Sequence, residues 1–156
     1  MFAGTYQHAL DGKNRIVVPA KHRAVIPDAE NNRGFYVSLW QLGDIRCLSL
    51  FTKASWAGLM ERLEALAAQD ETAEAYLTKL SATAEFVEAD PGWRIVVPEA
   101  LLKKTKLGRE VVLVGRKGQI LVMDPADWRR FDAQLDASFP DVYKKVLRVQ
   151  RETRTT

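Results

Sequence analysis

The chain has 156 residues, of which 47% are hydrophobic and 28% charged, with a formal net charge of +3. That length suits one or two small domains, and that balance excludes a largely disordered chain. No apolar run approaches the ~20 residues of a membrane span, the start lacks the charged-then-apolar pattern of a signal peptide, and the lone cysteine, Cys47, excludes an intrachain disulfide and predicts a buried thiol in a reducing cytoplasm.

Residues 2–10 alternate loosely and predict a strand. Residues 11–14 predict a turn, and residues 15–18 a second strand ended by Pro19, so the pair reads as a β-hairpin with Asp and Gly in its loop. Residues 20–26 predict one or two helical turns stopped by Pro27, and residues 28–34 a polar loop. Strands follow over 35–39 and 45–51, joined around Gly43 and Asp44. Thr52 has the chemistry of a helix N-cap. Behind it, Trp56, Leu59, Met60, Leu63, Leu66 and Ala67 recur at helical spacing. A second helix over 72–80, with Tyr76, Leu77 and Leu80 on one face, completes a helical hairpin across the acidic turn at Asp70 and Glu71.

The pattern then restarts. Residues 83–89 predict a strand, 90–93 a turn, 94–97 a strand ended by Pro98, and 98–106 a short helix with Gly108 just past it. Strands at 110–115 and 119–123 flank an Arg116-Lys117-Gly118 turn. Asp124 and Pro125 open a last helix as N-cap and first helical residue. Trp128, Phe131 and Leu135 form its apolar stripe. Pro140 predicts an interruption, after which Val142, Tyr143, Val146 and Leu147 continue a further helix. Trp56 and Trp128 take equivalent places in the two long helices and predict core packing between helix and sheet. Each half reads strand, turn, strand, short helix, two strands, long helix, which makes the chain an α+β protein, mainly β with helices.

One stretch occurs twice. Asp11-Gly12-Lys13-Asn14-Arg15-Ile16-Val17-Val18-Pro19 returns 79 positions later as Asp90-Pro91-Gly92-Trp93-Arg94-Ile95-Val96-Val97-Pro98. Two copies are too few for a solenoid and predict two pseudo-symmetric halves of one small protein.

Chemistry-bearing patterns are otherwise sparse. Two histidines and one cysteine offer no metal-ligand spacing, and there is no phosphate loop, dinucleotide fingerprint or nucleophile elbow. The repeated turn is the informative site. Asp11 and Arg15 flank a tight loop, which reads in two ways. A local ion pair or Asx turn fixes the loop, worth only ~0–1 kcal/mol when exposed. Alternatively the loop presents Arg15, Lys13 and Asn14 to a partner, where Arg pairs with guanine edges, Lys with phosphate and Asn with adenine. Lys21, His22 and Arg23 add basic character nearby, a property compatible with any anion. The basic tail with Lys144, Lys145, Arg148, Arg151 and Arg154 reads either as a nucleic-acid contact or as a solvated terminus.

The doubled Asp-x-x-x-Arg, each copy followed by an apolar strand and Pro, in a chain of this length starting Met1-Phe2-Ala3-Gly4, resembles the MraZ family of bacterial transcriptional regulators. The resemblance extends over residues 1–147. It implies tandem AbrB-like, swapped-hairpin β-barrel halves that pack as two subunits of an AbrB-like dimer do. The corresponding division is 1–52 for the first AbrB-like domain, 53–81 for the helical hairpin, 82–128 for the second domain and 129–156 for a C-terminal helix and basic tail. It also implies ring-shaped homo-oligomers. The implied partner is double-stranded DNA, in the form of direct repeats in the promoter of the cell-division and cell-wall gene cluster, bound usually as a repressor in the cytoplasm at the nucleoid. No cofactor, metal, membrane or enzymatic activity is implied.

Carried over residue by residue, the family motif falls on Asp11, Lys13 and Arg15 in the first copy and on Asp90 and Arg94 in the second. With Asn14, Lys21 and Arg23 these are the candidate DNA-binding residues. The turns depart from the family, which usually has Gly before the Arg where this chain has Asn14 and Trp93. Asn tolerates positive φ, so the first loop is expected to keep its shape. Trp does so less readily, and Asp-Pro-Gly-Trp predicts a type II turn with Pro91 and Gly92 at its centre. The second loop also lacks a match to Lys13. Trp93 is left open between stacking on a partner and packing in a subunit interface. An AbrB-like antitoxin or other protein-interaction module is the alternative function, and an enzyme comes third.

Overall fold

The structure is a computed structural model that describes residues 1–155. Thirteen elements follow in order: β1 (Phe2–Ala9), β2 (Arg15–Val17), α1 (Ala20–Arg23), β3 (Gly34–Leu42), β4 (Ile45–Thr52), α2 (Lys53–Ala67), α3 (Glu71–Thr83), β5 (Glu85–Glu88), β6 (Arg94–Val96), α4 (Glu99–Leu102), β7 (Glu110–Lys117), β8 (Gln119–Met123) and α5 (Pro125–Arg154). The fold is α+β. Its six-stranded antiparallel sheet has the order β1-β7-β8-β4-β3-β5, and β2 and β6 form a separate two-stranded ribbon.

This topology corrects the local hairpin expected from residues 2–18. β1 and β2 do not pair with each other. β1 runs along β7, from Phe2 opposite Lys117 to Ala9 opposite Glu110. The counterpart β5 runs along β3, from Gly34 opposite Glu88 to Val37 opposite Glu85. Each half thus lends its first strand to the other half. The turn dictates only where the chain reverses, and strand length decides the partner: β7 satisfies all eight residues of β1, whereas β2 has three to offer.

The ribbon carries the pseudo-symmetry. Arg15 lies opposite Val96, Ile16 opposite Ile95, and Val17 opposite Arg94, so the two motif copies are antiparallel mates. Flanking bonds obey the same relation: Val18 N–H donates to the Trp93 carbonyl and Val97 N–H to the Asn14 carbonyl, both at 2.8 Å. Period-two alternation buries Ile16, Val18, Ile95 and Val97 and exposes the residues between them. The buried four join Phe2, Phe35, Val37, Val111 and Leu113 in one core drawn from both sheets, each worth roughly 1.5–3 kcal/mol for the burial of its side chain.

The helical hairpin forms as expected. Thr52 caps α2, its hydroxyl accepting from Ser55 N–H, and Asp70 caps α3 through the N–H groups of Thr72 and Ala73. Trp56 and Leu63 of α2 and Leu80 of α3 pack with Phe51 in a second cluster, where the Trp56 ring stacks on Tyr36 at 5.0 Å between centroids. α3 runs to Thr83, so the strand expected from residue 83 starts only at Glu85. Cys47 is fully buried.

The compact body spans Met1–Pro125, and the chain from Ala126 onward forms a second unit. α5 begins at Pro125, as the Asp-Pro pair predicts, but Pro140 does not interrupt it. A proline in a helix interior costs about 3 kcal/mol through a lost N–H and a clash with the carbonyl four residues earlier. Here Pro140 and Asp136 are both exposed, so water satisfies that carbonyl, and long helical runs on either side carry the helix through. Trp128 also departs from expectation. No residue of α5 is buried, and the Trp128 ring meets Phe131 of the same helix at 5.8 Å, whereas its counterpart Trp56 is a core residue. Among the described residues, no helix is long and apolar enough to cross a membrane.

Candidate nucleic-acid interface

Each motif loop is built around its Asp. Asp11 Oδ1 accepts from the backbone N–H groups of Lys13 and Arg15, both at 2.9 Å, while Oδ2 accepts from Arg15 Nε at 2.7 Å. Asp90 repeats the arrangement, accepting from Arg94 N–H and from Arg94 Nε, each at 2.9 Å. The backbone closes each loop the same way: Asn14 N–H donates to the Asp11 carbonyl at 3.0 Å, and Trp93 N–H to the Asp90 carbonyl at 2.8 Å. The Arg15 backbone N–H, joined by the Arg15 side chain and the Lys13 N–H, holds the Asp11 carboxyl at a pKa of about 2 despite the upward push of desolvation. Asp90 is lowered for the same reasons, with the Arg94 N–H first.

The second loop is therefore not the type II turn that its sequence suggests. That turn needs positive φ at Gly92, and Gly92 does not have it. The left-handed residue is instead Trp93, at φ 60°, matching Asn14 at φ 57°. A left-handed non-glycine residue costs on the order of 1–2 kcal/mol. Burial of the indole offsets this. Trp93 lies in the main core, with the guanidinium groups of Arg33 and Arg23 over its ring at 5.3 and 5.9 Å. Trp93 is thus a packing residue of its own chain.

On the ribbon, Arg15 and Val17 of β2 and Arg94 and Val96 of β6 share the face that Ile16 and Ile95 leave outward. Val17 is 37% and Val96 53% exposed. The two arginines sit on diagonal positions, about 7–8 Å apart by sheet geometry. Both use Nε to meet their Asp, and among the described residues no group accepts from the terminal Nη atoms of either. A guanidinium held side-on at Nε keeps its two-pronged end available for a planar acceptor pair.

The remaining predicted residues divide. Lys13 and Lys21 are exposed and without ion pairs among the described residues. Asn14 is half-buried and shapes the loop through its backbone. Arg23 leans on Trp93 and its Nε is buried, so it is set apart from the ribbon arginines. Sequence reasoning missed Arg33, which donates to the Asp90 carbonyl at 3.2 Å and pairs with Glu30 at 2.7 Å. Nothing in the motif marks it. It also missed the outward valines, although period-two alternation puts them beside the arginines.

A family model described as "MraZ protein, putative antitoxin-like" matches residues 1–78 and 80–149. The "Transcriptional regulator MraZ" of Desulforamulus reducens is 30% identical over 147 residues, covering 94% of this chain and 98% of that protein. The protein of the same name from Thermomicrobium roseum is 31% identical over 146 residues, 94% of this chain and 97% of that protein. That from Lactiplantibacillus plantarum is 27% identical over 147 residues, 94% and 99% of the two chains. The family match takes in both motif copies and the relatives align along nearly their whole length, so this chain belongs to the MraZ family.

Proposed function

We propose that this protein is a sequence-specific DNA-binding transcriptional regulator whose reading element is the β2–β6 ribbon. The observation that carries the reading is the pair Arg15 and Arg94, outward on one exposed ribbon, each braced by its own Asp through Nε with its Nη groups unengaged. A two-stranded ribbon fits the major groove, and a bidentate Arg is the commonest reader of guanine O6 and N7. Because each Arg is balanced by a carboxylate, the ribbon suits base edges better than bare phosphate. Lys13 and Lys21, which have no such balance, suit the backbone. The relatives carry the name of transcriptional regulators, which is not an enzyme class.

The finer reading is a repressor of its own cell-division and cell-wall gene cluster that binds direct repeats as a homo-oligomeric ring, in the cytoplasm at the nucleoid. One chain already holds both pseudo-symmetric halves, so further association uses other surfaces, and contacts between unlike surfaces close into rings. Phe139, Tyr143, Val146 and Val149, all at least half exposed along one side of α5, support such association. Ring neighbours present the ribbon in one sense, which suits direct repeats spaced by about one helical turn, ~10–10.5 bp.

The test is fluorescence anisotropy on duplexes from upstream of the protein's own gene, over a salt series, with and without half a helical turn inserted between repeats. Tight binding that the insertion weakens, by a multimer in solution, is the expected result. Binding indifferent to the insertion, or a monomeric protein, overturns the ring reading. No salt-dependent binding to any duplex overturns the DNA reading and favours the antitoxin-like protein-interaction module.

A further inference from the structure

The two halves diverge most usefully at the tight turns that end their second hairpins. In the first half the turn is Leu42-Gly43-Asp44-Ile45, and in the second it is Arg116-Lys117-Gly118-Gln119, with Leu42 opposite Ile45 and Arg116 opposite Gln119. The backbone is shared: Gly43 and Lys117 are both left-handed, at φ 58° and 50°. The first half shows one set of residues that serves the fold here, a glycine between two apolar flanks. The second half places a cation in the strained position, a second cation before it and an amide after it, and drops the carboxylate.

Gln119 is the most informative of these. It is only 7% exposed, at the head of a strand whose other residues are all apolar, and its Nε2 is buried with no hydrogen-bond partner. An unsatisfied buried amide is destabilising, and the isoleucine at the matching place shows that the fold does not need it. Gln119 lines a groove of about 460 Å³, together with Arg116, Lys117 and, from α2, Ser55 and Arg62. Arg62, Arg116 and Lys117 have no carboxylate partner among the described residues. The first turn of α2, which supplies Ala54 and Ser55 to the wall, contains no acidic residue to complement its positive end. Gly118 lets that helix approach, since a Cβ there would stand 2.5 Å from Ser55 Oγ. Trp40, Phe51 and Leu59 add apolar lining.

We propose that this groove binds a small organic phosphate with a flat apolar body. Arg62, Arg116 and Lys117 neutralise the phosphates, the Gln119 amide turns its buried Nε2 outward to donate to the ligand, and Trp40 and Leu59 cover its body. The volume is that of a small-ligand site. The site belongs to one half only and shares no residue with the ribbon, so it stands or falls separately from the DNA reading.

The test is calorimetric titration of the full-length protein with ADP, adenosine and pyrophosphate, alongside amide NMR of the ADP complex. ADP is expected to bind at least tenfold tighter than adenosine, with pyrophosphate between them, and to shift the Gln119 side-chain amide and the Trp40 indole. Lys117→Gly, which relieves the strained backbone, and Gln119→Ile, which copies the first half, should each lower ADP affinity tenfold or more without lowering Tm. Equal binding of ADP and adenosine, variants that keep wild-type affinity, shifts centred on Lys13 and Arg15 instead, or no ADP binding at millimolar concentration would each overturn the proposal.

Discussion

Ile16 lies directly opposite Ile95 in the ribbon, and both are fully buried. The pair sits on the local pseudo-twofold that exchanges the two halves, so the same hydrophobic contact aligns both motifs and both outward arginines. Truncating either residue should therefore cost about the same. Ile16→Ala and Ile95→Ala are each expected to lower stability by about 2–5 kcal/mol, with the double variant departing from additivity because the side chains adjoin. Chemical denaturation measures all three.

The ribbon arginines should behave as a pair. Arg15→Ala is expected to lower affinity for the specific duplex by about 1–3 kcal/mol per lost bidentate contact, multiplied by avidity in an oligomer, while Tm falls only slightly with the loss of a partly exposed ion pair and oligomeric mass stays unchanged. Arg94→Ala should follow it, because both share the exposed face. Lys13→Ala should weaken binding evenly across sequences and flatten the salt slope by about one unit. Anisotropy titrations at several salt concentrations separate these outcomes, and normal binding by Arg15→Ala would return the Asp–Arg pair to a purely structural role.

Trp93 should matter to stability before it matters to DNA. Trp93→Ala is expected to cost about 3–5 kcal/mol, as for other buried aromatic truncations, since the ring fills the core beneath Arg23 and Arg33. Trp93→Gly recovers the left-handed backbone and should differ from the Ala variant by less than that amount. Thermal unfolding of the two variants isolates the backbone contribution.

The pH dependence of the first loop has a definite sign. The folded carboxyl of Asp11 titrates at about 2 against 3.8 unperturbed, so the unfolded chain takes up this proton first as pH falls. The stabilising contribution is whole above pH 3.8 and disappears as pH falls towards 2. Carboxyl-carbon NMR should give a midpoint near 2. In Arg15→Ala the midpoint should rise yet stay below 3.8, because the backbone N–H of residue 15, the largest cause of the shift, remains.

A close backbone approach makes the outer strand sensitive to one methyl group. A Cβ on Gly115 would stand 2.5 Å from the Ala3 nitrogen and 2.8 Å from its Cα, across from Gly4 in the β1–β7 register. Gly115→Ala is expected to cost about 1–3 kcal/mol as an overpacking change. The loss should show as faster hydrogen exchange along β1.

The sequence by itself determined the repeat, the order of elements in each half, the helical hairpin and the residues of the Asp–Arg loops. These are local properties, set by strand alternation, helical spacing, caps and turns. Only the tertiary structure decided which strands pair. The turn at Asp11 suggested β1 against β2, but hydrogen bonds and core area are gained over length, and β7 matched β1 along its whole run. The same holds for Trp93: its sequence argued against a left-handed backbone, and burial beneath two arginines, invisible in the chain order, reversed that preference. The continuity of α5 through Pro140 likewise depended on exposure, and the groove around Gln119 on a helix and a turn some 60 residues apart in the chain being packed side by side.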